Sequence, residues 1–147
     1  MDRSTGVRKW SDERGAVVLE MPGADVFVFR MSGRMSESFA GNIEASVAER
    51  IAAGQVDLFF DTEKMTGYEP RFRAQMTAWH EALKPRTRSA HVLVSSKFVA
   101  MAISVVNMVT GGLFRSHTNR ATFDTELDRA VARARAREGR HADASFP

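Results

Sequence analysis

Apolar positions along this chain switch between two periods, and the switches lay out a series of strand-then-helix units. Ala16 to Glu20 and Val26 to Met31 are short apolar runs joined at Pro22-Gly23-Ala24, which predicts two strands and a tight turn. A weaker run at Val7 to Trp10 allows one more strand. From there the period lengthens. Ala40, Ile43, Val47 and Ile51 recur at helical spacing, so a helix is expected from a Ser36 or Ser38 cap to about Ala53, ended by Gly54. Val56 to Phe60 reads as a buried strand, followed by a polar loop from Asp61 to Glu69. Pro70 then opens a helix whose apolar face is Phe72, Met76, Trp79 and Leu83.

The centre of the chain is its least charged part. A strand over His91 to Val94 leads into a helix over about Lys97 to Thr110, stopped by Gly111-Gly112. Leu113 to Ser116 is the last strand. Thr118 or Asn119 caps a last helix with Phe123, Leu127, Val131 and Ala134 on one face. Residues 1–15 are expected to form an arm, 16–137 one domain, and 138–147 a flexible tail. The order β-β-α-β-α-β-α-β-α defines an α/β fold with a mainly parallel sheet and an N-terminal antiparallel strand.

The central helix has two apolar stripes. Phe98, Met101, Ala102, Val105 and Val109 form one. Val99, Ile103 and Val106 form another, rotated about 130° from the first. A sheet covers only one of them. The expectation is that Val99, Ile103 and Val106 pack against a neighbouring helix of the domain, or form a surface for self-association or for an apolar ligand.

Composition narrows the classes. At 147 residues, with 44% hydrophobic and 27% charged residues, the chain has the make-up of one globular domain. A formal charge of +3 does not demand nucleic acid, and the arginines of the last helix read as a solvated face. The absence of cysteine excludes disulfides and thiolate chemistry. The run from Phe98 to Phe114 is shorter than the ~20 residues a membrane span needs. A cytoplasmic protein, not transmembrane, without metal or other cofactor, is expected.

The wording of several segments is similar to one family. Phe59-Phe60-Asp61, Met65-Thr66-Gly67-Tyr68, His91-Val92-Leu93-Val94 and the run from Ser96-Lys97 into Met101-Ala102 resemble small bacterial STAS-like proteins of the SpoIIAA-like fold. The resemblance covers roughly Val17 to Ala134. It implies a SpoIIAA-like domain, and by fold analogy a kinship with CRAL-TRIO lipid-binding domains. Antagonists of the family carry a phosphorylated serine after the third strand; this chain has Thr66-Gly67-Tyr68-Glu69-Pro70 instead. The loop residues Asp61, Thr66, Tyr68 and Glu69 are therefore the candidate partner or phosphorylation site.

Where strand carboxyl ends meet helix starts, Ser95, Ser96 and Lys97 form a candidate anion or ligand site. Asp61, Ser95 and His117 supply the residue types of a hydrolase triad, without the G-x-S-x-G elbow. His91 and His117 are expected at opposite sheet edges. The leading expectation is a non-enzymatic, regulatory protein-interaction module whose partner is another protein or itself as a homodimer. A carrier of a small apolar ligand or lipid held against the central helix is the alternative.

Overall fold

The computed structural model describes residues 7–51 and 54–144. Among them six strands form one sheet in chain order. Strands β1 (Arg8–Ser11), β2 (Gly15–Gly23) and β3 (Val26–Met35) are antiparallel. Strands β4 (Val56–Tyr68), β5 (Thr87–Leu93) and β6 (Phe114–His117) continue from β3 in parallel. Helices α1 (Glu37–Arg50), α2 (Pro70–Leu83), α3 (Lys97–Thr110) and α4 (Arg120–Ala144) connect and follow them.

The strand alternation sorts side chains onto two faces. Leu19, Phe29, Phe60 and Val92 are register partners from β2 to β5 and share one face. There they form the larger core with Phe39, Ile43, Phe72, Met76, Val99 and Val106 of α1, α2 and α3. The neighbouring row of Val28, Phe59 and His91 points the other way. On that side Val28 and Phe59 meet Phe123, Ala130 and Ala134 of α4. Phe60 and Val92 lie in the larger core, whereas Phe123 lies across the sheet, Trp79 is half-buried, and Met101 is 65% exposed.

Several expected boundaries move for local physical reasons. The segment read as an arm supplies β1, because Arg8 to Ser11 pair with Ala16 to Leu19; residues 1–6 lie outside the described residues. The hairpin turns at Ala24-Asp25, while Pro22-Gly23 belongs to an irregular strand end. Helix α1 ends at Arg50 with Ile51 as its cap, not at Gly54; Ala53 lies outside the described residues. Ser36 occupies its N-cap position, but its hydroxyl donates to Asp12 and makes no cap bond. Helix α4 runs through Arg140 to Ala144, where a frayed tail was expected; residues 145–147 are outside the described residues.

The largest revision is the polar segment after Phe60. It is strand, not loop: β4 runs on to Tyr68 because β3 extends beside it and pairs with it as far as Met35. Gly33 makes that extension feasible. Its φ is +73°, and a Cβ there would collide with the carbonyl of Arg14. On α2 the buried series is Phe72, Met76 and His80, four residues apart. His80 takes the place expected for Trp79.

Candidate functional site

Between α2, α3 and the sheet lies an apolar cavity of about 70 Å3. Phe60, Val92 and Phe114 line it from β4, β5 and β6, and Phe72, Met76 and His80 from α2. Val99, Ala102, Ile103 and Val106 line it from α3, with Met65 and Tyr68 from the far end of β4. Phe60, Val92 and His80 are buried, whereas Tyr68, Arg73, Ala102 and Ile103 are half-exposed and mark where it meets solvent.

His80 is the chemical exception in this wall. It is 3% exposed, and its ring stands edge-on to Phe60 and Phe114, with centroids at 5.4 and 4.7 Å. Trp79 leans against it at 4.9 Å. Its Nδ1 is buried and makes no hydrogen bond with the protein. Burial pushes the imidazole pKa down from 6.5 to about 3, so the ring is neutral at ordinary pH. A buried polar atom without a partner costs about 1–3 kcal/mol. Apolar lining with a sparse polar group is the usual make-up of a small-molecule pocket.

Helix α3 is capped at both ends and tied to β4 at its first turn. Ser96 Oγ accepts from Val99 N–H at 3.2 Å, and Tyr68 Oη donates to the Phe98 carbonyl at 3.0 Å. At the other end Gly111 takes φ +76° and its N–H donates to the Asn107 carbonyl. The two apolar stripes of α3 are exchanged relative to expectation. Val99 and Val106 are 4% and 5% exposed and Ile103 is half-buried, so they face the sheet and cavity and do not form an association surface. Phe98, Met101, Met108 and Val109 are the ones left in water. The reason is the helix entry: the Ser96 cap and the Tyr68 bond fix the rotation of α3 at its first turn.

The other candidates are held apart. Thr66 is exposed on β4, and Glu69 Oε1 accepts the first N–H of α1, from Glu37, at 2.9 Å. Ser95 Oγ donates to the Glu63 carbonyl at 3.0 Å, Ser96 is the cap, and Lys97 is exposed. Asp61 binds Arg30 at 2.8 Å and Arg120 at 3.0 Å. Burial pushes its carboxyl up, but hydrogen bonds from Arg120, the Glu63 N–H and Arg30 outweigh that and hold the pKa below the usual range. His117 is bonded to His91 and Thr122. Asp61, Ser95 and His117 thus each have other partners, and no triad assembles from them.

The His91–His117 contact corrects the expectation that they sit at opposite edges. Nδ1 of His91 lies 3.0 Å from Nε2 of His117. The strands are parallel as expected, but β5 begins at Thr87, so His91 lies well along it. Burial first, then His117 and Arg115, lower the His91 pKa to about 4. A second ion cluster fastens the far end of α4: Arg137 reaches Asp25 at 2.9 Å, and Arg88 reaches both Asp25 and Asp57.

The architecture is that of a SpoIIAA-like domain. A crystal structure of an uncharacterized protein of the DUF3478 family from Shewanella loihica PV-4, with a SpoIIAA-like fold, superposes with a TM-score of 0.57. That match covers 80% of this chain and 98% of the other, at 15% sequence identity. No protein-family model matches the chain, and no curated protein sequence matches it. Among the described residues, no helix is long and apolar enough to cross a membrane.

Proposed function

We propose that this SpoIIAA-like domain works by binding, without catalysing a reaction, and that its ligand is a small apolar molecule carrying one hydrogen-bonding group. The observation that supports this is His80: a neutral ring in the wall of an apolar cavity, with a buried nitrogen that the protein leaves unbonded. A hydroxyl meets such a nitrogen in either tautomer, as donor or as acceptor. The enclosed 70 Å3 takes only the hydrogen-bonding end of such a ligand; its apolar part would lie along Val99, Ile103 and Val106 towards the half-exposed edge at Tyr68 and Ala102.

The test uses a simple alcohol. Titration with 1-octanol should change the fluorescence of Trp79, which touches His80, and nonane should bind at least tenfold more weakly. Ala102→Leu, which fills the half-exposed part of the cavity, should abolish the response while leaving the protein folded. An octanol response unchanged in Ala102→Leu would place binding elsewhere and sink the reading.

A second reading, the regulatory protein-interaction module, is favoured by the outward side of α3. Phe98 and Met101 are 65% exposed and Met108 81%, more apolar surface than one helix usually leaves in water. If this side holds a partner or a second copy, Met101→Glu should leave stability within about 0.5 kcal/mol and abolish the complex. A complex indifferent to Met101→Glu would remove α3 from the interface.

A further inference from the structure

The free edge of the sheet at β6 carries an inference independent of the cavity, because it concerns the α4 side of the molecule. Val94 N–H donates to the His117 carbonyl at 2.8 Å, so the polar backbone groups of His117 face β5. Those groups alternate along a strand, which turns the N–H and C=O of Phe114 and Ser116 outward. The outward pair at Phe114 is already taken. Asn107 accepts from the Phe114 N–H at 2.8 Å, and its amide donates to the Phe114 carbonyl at 3.3 Å, in the way a neighbouring strand would. The outward pair at Ser116, two residues on, meets no partner among the described residues.

Beside that uncovered stretch runs a groove between β6 and the first half of α4. Arg115 and His117 line it from the strand, and Thr122, Thr125, Glu126 and Arg129 from the helix. Both arginines approach Glu126, at 3.8 and 3.0 Å, yet their side chains stay 67% and 63% exposed. Two guanidinium groups against one carboxylate leave the groove cationic.

We propose that this edge is a docking site for a short acidic peptide in extended conformation, added as a seventh strand beside β6. Its backbone pairs with the N–H and C=O of Ser116, and its acidic side chains on the α4 side meet Arg115 and Arg129. Main-chain pairing gives adhesion and the arginines give the choice of charge. Asn107 stops the added strand from extending past Phe114, so the segment recognised is only a few residues long.

The probe is a fluorescein-labelled hexapeptide of alternating aspartate and valine, followed by anisotropy with the full chain. Its lysine–valine counterpart should bind at least tenfold more weakly. Ser116→Pro removes the outward N–H without touching the β5 ladder, a substitution that edge strands tolerate. It should weaken binding at least tenfold, as should the pair Arg115→Glu and Arg129→Glu, whereas Arg133→Glu, outside the groove, should not. Amide hydrogen exchange at Ser116 of the unmodified chain should slow when the peptide is added, a readout that holds even if the proline variant misfolds. Absence of binding, or binding with unchanged exchange at Ser116, overturns the proposal; the latter shows charge attraction alone.

Discussion

Asp57→Ala should lower the stability of this protein by about 3–5 kcal/mol, the loss expected when one partner of a buried ion pair is removed. Asp57 is 0% exposed in β4. Its carboxylate accepts from Arg88 at 2.6 Å and from Ser89 at 2.6 Å, with Arg137 of α4 at 3.8 Å. Removing it leaves Arg88 half-desolvated with only Asp25 to balance two arginines. A loss of that size is a large share of the 5–15 kcal/mol that domains have in all. Urea unfolding followed by circular dichroism measures it. A loss under about 1 kcal/mol would mean that Asp25 holds both arginines unaided.

The second large effect is a gain. His80→Leu should make the protein at least as stable at neutral pH, since an unbonded buried nitrogen gives way to an apolar group of similar size. The advantage should widen in acid. The unfolded chain takes up a proton at His80 near pH 6.5, while the folded chain resists until about 3. Between those values the unfolded state binds more protons, so stability falls as pH falls, by about 1.4 kcal/mol per pH unit from this group. Leucine has no such term. Below about pH 3 the accumulated difference is on the order of 4–5 kcal/mol. His91 and the lowered carboxylates of Asp12, Asp25 and Asp61 titrate in both proteins and cancel in the comparison. Urea midpoints at pH 7.5, 5.5 and 4.5 decide it: parallel curves would show that His80 is not buried neutral.

These two residues also mark what could be read before the structure. The alternation of strand and helix, the Pro70 start, the Gly111 stop and the parallel order from β3 onward were legible, because each rests on local periodicity or backbone chemistry. Asp57 is one charge in the apolar run Val56 to Phe60, but its partners Arg88 and Arg137 come from other elements, and spacing along the chain does not reveal them. Thr62 to Tyr68 reads as loop because its polarity is local, whereas its strand conformation comes from the pairing of Lys64, Met65, Gly67 and Tyr68 with the extended end of β3, past a register shift at Thr62 and Glu63.

The candidate site was half legible for the same reason. That α3 carries two apolar stripes, only one of which the sheet covers, followed from its composition. Which stripe faced inward did not, because the Ser96 cap and the Tyr68–Phe98 bond set the rotation. On α2 the spacing of Phe72, Met76 and His80 was present in the sequence. Trp79 displaced His80 in that reading because aromatic bulk is a stronger hydrophobic signal than an imidazole that burial keeps neutral.

Ligand binding in this cavity depends on the unbonded nitrogen of His80, and nitrogen-15 NMR of the imidazoles observes that atom directly. Saturation with 1-octanol should shift the Nδ1 resonance of His80 towards a hydrogen-bonded position while His91 and His117 stay in place; nonane should leave all three unmoved. A His80 signal indifferent to octanol, under conditions where the Trp79 fluorescence responds, would contradict the assignment of this ring as the polar contact of the pocket.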